Sequence, residues 1–171
     1  GRAADTSGTM DNCIIRNCTI KNIEGKYGIM LGNPKACFVD NCTLDNMRTG
    51  WGIFARGIPE NRGSDVVIED CAVNYCRGTN YKMTCIDYGQ IRRCIIGQSG
   101  THGNGIAIYN DSEEGAYYNT HIGIFHTQAV GSAIALAYQG VDNLYVIGND
   151  WQTYWYNTAH WSVTTGGDMI F

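Results

Sequence analysis

Short runs of alternating apolar and polar residues recur along this chain at a nearly constant interval. Residues 12–20 return as residues 36–44, and residues 27–31 return as residues 51–55, in both cases 24 positions later. Alternation over three to five positions is typical of short, half-buried strands. We call residues 12–20 the first landmark and residues 27–31 the second landmark. Because both recur at the same interval, they indicate a structural repeat.

The repeat continues through the chain with looser spacing. Further copies of the first landmark lie at residues 65–73 and 89–96, with weaker copies at 116–123 and 144–152. The second landmark returns at residues 84–86, 105–108 and 133–136. No segment sustains a helical period. The pattern therefore predicts one all-β domain over residues 1–171, a parallel solenoid of about six coils with three short strands per coil.

Equivalent residues of successive coils must stack at the spacing of neighbouring strands, about 4.8 Å. The repeat predicts three inward stacks: Ile15, Val39, Ile68, Ile91 and Ile147; Cys18, Cys42, Cys71 and Cys94; and Ile29, Ile53, Cys85, Ile106 and Ile134. His121 aligns with the cysteine stack, which makes it a core or corner residue.

One corner of each coil is marked by asparagine or aspartate, at Asn17, Asn41, Asp70 and Asn149. These residues tolerate the left-handed backbone of a sharp turn, and their side chains can bond along the stack. The arrangement resembles the asparagine ladder of the pectin-lyase-like family of right-handed parallel β-helices. That resemblance implies the hand of the coil. Arg93 and Thr120 depart from it, which predicts interruptions in the fourth and fifth coils.

Composition narrows the classes of partner. The net charge is −4 and no basic cluster occurs, so no nucleic-acid partner is expected. No apolar run approaches the length of a membrane helix. The eight cysteines are expected to be free thiols in the core, because the side-by-side Cβ atoms of in-register strands have poor geometry for disulfide bonds. Free thiols suit synthesis in a reducing cytoplasm. We predict no cofactor and no metal site.

Carboxylates concentrate in the loops predicted after the second landmark of successive coils, at Glu60, Asp65, Asp87, Asp111, Glu113, Glu114 and Asp142. We predict that Asp87, with Asp111 or Glu113, forms a catalytic pair, because adjacent coils would bring the carboxyl groups to the separation used by glycosidases. Ordinary solvated acidic loops are the alternative. Among relatives implied by the resemblance, polygalacturonases carry catalytic aspartates facing outward from the second landmark. The corresponding positions here, Met30, Phe54, Ile86, Ala107 and Ala135, are apolar and favour subunit packing or a covering segment.

Aromatic residues supply the remaining signal. Trp51, Tyr81, Tyr109 and Trp155 are predicted to bind sugar faces, since exposed rings beside polar groups are suited to that task. They could equally close the end of the solenoid or form an oligomer interface.

Together these features favour a solenoid that binds, and if catalytic hydrolyses, an extended polysaccharide. Its architecture is similar to that of phage tailspikes, which implies a virion-surface or extracellular location and a homotrimer, or packing on the rest of a longer chain. A segment of a bacterial polysaccharide lyase, hydrolase or epimerase is the first alternative. A lyase would use a basic residue, for which Arg48, Arg77 and Lys82 are available. A non-catalytic structural or adhesive solenoid is the second alternative.

Overall fold

The structure, a computed structural model, describes residues 8–170 apart from 49, 101–102, 109–118, 131–133, 139, 153–158 and 162–168. Over the described residues it is an all-β parallel solenoid without helices, and its strands complete about five turns. The predicted fold class, with three strands per coil, is confirmed. Within the same ranges no helix has the length and apolar character needed to span a membrane.

Three parallel sheets run the length of the solenoid, and each coil contributes strands to all three. Sheet I contains β1 (Met10–Asp11), β2 (Ile14–Arg16), β5 (Pro34–Asp40), β8 (Gly63–Glu69), β11 (Ile86–Arg92), β14 (Asn119–Phe125), β17 (Val141–Ile147) and β20 (Met169–Ile170). Sheet II contains β3 (Thr19–Lys21), β6 (Thr43–Asp45), β9 (Ala72–Cys76), β12 (Ile95–Ser99), β15 (Gln128–Val130) and β18 (Asp150–Gln152). Sheet III contains β4 (Tyr27–Gly32), β7 (Trp51–Arg56), β10 (Tyr81–Thr84), β13 (Asn104–Ile108), β16 (Ile134–Tyr138) and β19 (Ala159–Trp161).

Aliphatic side chains from sheet I form one column of the core. The column runs through Ile15, Val39, Ile68, Ile91, Ile124 and Val146. Burying each such side chain stabilises the fold by about 1.5–3 kcal/mol. The predicted stack placed Ile147 at its end, but Val146 holds that position, and Ile147 is 43% exposed on the outer face.

The inward column of sheet III differs from the predicted stack in two coils. Tyr81 pairs with Ile53 and Ile106 and occupies the position predicted for Cys85. Leu136 occupies the position predicted for Ile134. The coils vary in length mainly between sheets III and I. The third coil passes that corner through Cys85 alone, whereas the second coil inserts residues 57–62. An alignment based on apolar alternation could not locate that difference.

The residue at the corner between sheets I and II has a left-handed backbone conformation in six successive coils: Asn17, Asn41, Asp70, Arg93, His126 and Gly148. Asn41 Nδ2 donates a hydrogen bond to Asn17 Oδ1 at 2.7 Å, as a ladder requires. Arg93 replaces the amide contact with an ion pair to Asp70 at 2.8 Å. The predicted departure at Arg93 is thus observed, but the fifth and sixth corner residues are His126 and Gly148, in place of Thr120 and Asn149.

All eight cysteines are unpaired, as predicted. Cys42, Cys71 and Cys94 are buried in one column with the half-buried Cys18 at its end. Their sulfurs lie near main-chain carbonyls, and Cys71 Sγ donates to the Glu69 carbonyl at 3.0 Å. These thiols fill the core beside the corner.

We expect the buried thiols to make the fold sensitive to alkaline pH. Burial raises the pKa of Cys42, and also that of Cys76, from 9.0 to about 11. A raised pKa means that the folded state holds the proton more tightly. The resulting stabilisation is therefore complete below pH 9 and is lost as pH rises through 11. Urea unfolding between pH 8 and 11 measures this loss. Cys42→Ala should flatten the decline, and an unchanged decline would assign it to other groups.

Candidate functional site

A second line of left-handed residues crosses sheet I, one in each coil: Asn12, Ala36, Asp65, Tyr88, His121 and Asn143. Their φ angles lie between 51° and 60°. We call these six residues the sheet I column. Asparagine, aspartate and histidine are enriched in this conformation, but a residue such as tyrosine bears a cost of about 1–2 kcal/mol. Ala36 adopts the same conformation, so the turn belongs to the geometry of every coil, and Tyr88 and His121 differ from the other column residues by their aromatic rings.

Tyr88 and His121 form an exposed stack at the centre of the sheet I column. Their ring centroids are 4.7 Å apart with an interplanar angle of 21°. The Tyr88 side chain is 56% exposed, and His121 Nε2 lies 3.4 Å from Asn143 Nδ2. On the other side of Tyr88 the next column residue is the exposed Asp65. In the column, Tyr88 therefore lies between His121 of one neighbouring coil and Asp65 of the other.

Asp87 lies beside this stack and is held by two neighbours. Arg62 donates to both carboxylate oxygens, from Nη2 at 2.6 Å and from Nε at 2.7 Å. Thr120 Oγ1 donates to Oδ1 at 2.6 Å. The Arg62 hydrogen bonds, supported by that of Thr120, lower the pKa of Asp87 below its ordinary value of 3.8. Asp87 is thus an ionised acceptor or base at neutral pH, and it is not suited to donate a proton.

Removing Arg62 should raise the pKa of Asp87 more than removing Thr120 does. Arg62 is the largest cause of the depression, whereas Thr120 contributes a single neutral donor. NMR titration of the Asp87 carboxyl in Arg62→Gln and in Thr120→Val measures the two shifts. Because the depressed pKa stabilises the fold above pH 4 and loses that effect on acidification, Arg62→Gln should also weaken the acid dependence of unfolding. Equal shifts in the two variants would contradict the assignment.

Asp87 is the one predicted catalytic residue that the described ranges contain. It lies within β11, paired with Ser64 and Thr120, and its side chain faces outward, although a loop was predicted. Asp65 and Asp142, predicted in loops with it, also lie in strands of sheet I. The predicted partners Asp111 and Glu113 lie outside the described residues. So do the predicted sugar-binding residues Tyr109 and Trp155.

Tyr81, predicted to bind sugar, is placed in the core instead. Its side chain has no exposed surface, and its hydroxyl lies 2.9 Å from the carbonyl oxygens of both Cys71 and Ile95. This follows from the corrected register of sheet III, in which Tyr81 faces inward between Ile53 and Ile106. A ligand outside the solenoid has no access to its ring.

Trp51 is half-buried in an aromatic cluster on the outer side of sheet III. Tyr27 stacks on it with centroids 5.3 Å apart, and Phe54 lies at 6.0 Å. The Nζ atoms of Lys26 and Lys82 lie 5.5 and 5.2 Å from its ring centroid. Such cation–π contacts stabilise the cluster. Since its ring already has these contacts within the chain, Trp51 offers a ligand only part of its surface.

The outward row of sheet III is Met30, Phe54, Lys82, Ala107 and Ala137. Lys82 and Ala137 take the places predicted for Ile86 and Ala135, because the register of sheet III differs. Phe54 is 2% exposed and Lys82 is 1% exposed. Lys82 is therefore a poor candidate for a lyase base in this arrangement. Arg48, another candidate base, lies 3.5 Å from Glu24 in an ion pair.

Three carboxylates at the sheet I–II corner, those of Asp40, Glu69 and Asp70, lie within 4.8 Å of one another. Arginines accompany each of them. Arg16 pairs with Asp40 at 2.7 Å, Arg92 with Glu69 at 2.6 Å, and Arg93 with Asp70 at 2.8 Å. The guanidinium groups offset the negative charge that would attract a cation, so this cluster serves as an ion-pair network.

The sequence reasoning missed Tyr88, His121 and Arg62 as site residues. His121 was predicted in the cysteine stack, but it belongs to the sheet I column on the outer face. The sequence did contain a signal that places Tyr88 in this column. The first three copies of the first landmark begin at Asn12, Ala36 and Asp65, and extending the fourth copy by one residue towards the N-terminus aligns Tyr88 with them.

Comparison with known proteins agrees with the architecture. A family model described as a right-handed β-helix region matches residues 3–150. No curated protein and no solved structure gives a match. Because the family model covers most of the chain and the strands form the parallel solenoid it describes, this chain belongs to the right-handed β-helix family.

Proposed function

We propose that this solenoid binds an extended polysaccharide along the outer face of sheet I, with Tyr88 as its central contact. The observation that carries the proposal is the exposed Tyr88 ring, held in a strained backbone conformation and stacked on His121. An apolar ring face with polar groups at its rim suits the faces and hydroxyls of a sugar. Asp65 and Asn143 provide such a rim in the adjoining coils.

The shape of the face supports an extended ligand. Six column residues repeat along the solenoid at the strand spacing of about 4.8 Å, so the face extends for roughly 24 Å. The strands beneath it are fixed by continuous parallel pairing. A rigid, regularly spaced surface matches a linear polymer better than a compact metabolite. A virion appendage such as a tailspike is the setting we propose for such a surface.

Cleavage by a carboxylate pair is a separate part of the proposal. The low pKa of Asp87 suits the ionised member of such a pair, acting as base or nucleophile. The proton donor would then be Asp111 or Glu113. Release of oligosaccharides that is lost in Asp87→Asn, Asp111→Asn or Glu113→Gln would support hydrolysis. Unsaturated uronate products would instead indicate a lyase.

The binding proposal is tested by incubating the protein with a panel of polysaccharides and with oligosaccharides of increasing length from any polymer that binds. We expect affinity to rise with length until the ligand spans the column, measured by calorimetry. Binding that is complete with a monosaccharide would contradict an extended site. A panel with no bound polymer would overturn the proposed function.

A further inference from the structure

We propose that the sugar stacked on Tyr88 is uncharged, and that a residue carrying a carboxylate or sulfate at this position is excluded. This inference rests on the proposed function and names the ligand class of the same site. It follows from which charges adjoin Tyr88 and which of them are already compensated.

Asp65 is the charge next to Tyr88 in the sheet I column. It occupies the adjoining coil, at one strand spacing of about 4.8 Å, and its side chain is exposed. Among the described residues, no ion-pair partner of Asp65 is found. A carboxylate accepts hydrogen bonds from sugar hydroxyls, but it repels an anionic group brought to the same place. Asp65 thus favours neutral sugars and opposes acidic ones.

The arginine that binds Asp87 cannot reverse that preference. Proteins recognise carboxylates and sulfates with the forked donors of arginine. Arg62 lies close to the site, but its Nε and Nη2 already bind both oxygens of Asp87. The two charges therefore largely cancel at the rim of the site.

The remaining charges on this face are more distant. Lys35 pairs with Ser64 and is separated from Asp87 by two strand spacings, about 10 Å. At that distance an exposed charge is strongly screened at physiological ionic strength. Asp142, on the other side of Thr120, is exposed at the same distance of two strand spacings and is screened to the same extent, which leaves Asp65 as the charge that decides. The net charge of the groups around Tyr88 is consequently negative.

A matched pair of polymers tests the inference. A neutral polysaccharide that binds is compared at pH 8 with the same polymer after its C6 hydroxyls are oxidised to carboxylates, which are ionised at this pH. We expect the oxidised polymer to bind at least tenfold more weakly. Asp65→Asn should narrow that gap while the protein stays folded, since asparagine occupies the same left-handed position at Asn12 and Asn143.

Asp150→Asn is the control, because it makes the same charge change on the exposed surface of sheet II. It should leave the gap unchanged. Equal or tighter binding of the oxidised polymer overturns the inference while leaving the proposed function intact. A gap that Asp65→Asn does not alter overturns the role of Asp65. Failure of both polymers, and of the whole panel, removes the proposed function itself.

Discussion

Replacing Tyr81 with alanine is expected to lower the free energy of unfolding by about 3–5 kcal/mol, as for other large buried aromatic residues. Tyr81 lies without exposed surface at the centre of the sheet III column. Its removal leaves a cavity that the rigid, paired strands on either side cannot close. It also removes the hydroxyl that lies 2.9 Å from the Cys71 and Ile95 carbonyl oxygens.

Chemical denaturation of Tyr81→Ala and Tyr81→Phe measures the two contributions. The phenylalanine variant keeps the ring and should lose only about 1 kcal/mol, the net value of a buried hydrogen bond. Tyr75→Ala, on the half-buried surface of sheet II, is the control and should cost less than Tyr81→Ala. A Tyr81→Ala variant that keeps wild-type stability would contradict the core position of this residue.

Replacing Tyr88 with asparagine is expected to weaken polysaccharide binding at least tenfold while leaving stability within about 1 kcal/mol of wild type. The substitution relieves a left-handed backbone cost of about 1–2 kcal/mol. It also loses the ring stack with His121, worth about 0.5–1.5 kcal/mol, so the two effects nearly cancel. Loss of binding would then report the missing sugar contact and not unfolding.

Calorimetric titration with the polymer of the panel that binds most tightly measures affinity, and urea unfolding measures stability separately. Tyr75→Ala again serves as a control, since it removes a tyrosine from a different sheet and should retain binding. Unchanged affinity in Tyr88→Asn would move the binding site away from the sheet I column. A large loss of stability would mean that Tyr88 holds the fold together.

Much of the architecture could be predicted from local patterns. Alternation and the 24-residue interval identified the parallel solenoid, because stacked coils repeat their inward positions. The stacked free cysteines and the turn at Asn17 and Asn41 were also predicted correctly. The resemblance to right-handed β-helices agrees with the family match over residues 3–150.

The strand register in the less regular coils could not be predicted from local patterns. Tyr81 and Cys85 both fit an apolar pattern, and only the pairing of β10 with β7 and β13 decides that Tyr81 faces the core. Trp51 was predicted to present an exposed ring, but it is half-buried in β7, and its contacts with Tyr27 and two lysines depend on neighbouring coils. Its role in sugar binding stays a prediction.

What the sequence determined by itself was the repeating coil, because apolar alternation and asparagine turns act within a few residues of each other. The tertiary structure alone decided which side chains meet on the outer face. Asp87 joins Arg62 from one neighbouring coil and Thr120 from the other, and Tyr88 meets His121 because β11 pairs with β14. Such contacts depend on how each coil absorbs its inserted residues, a choice made by strand pairing and core packing along the whole solenoid.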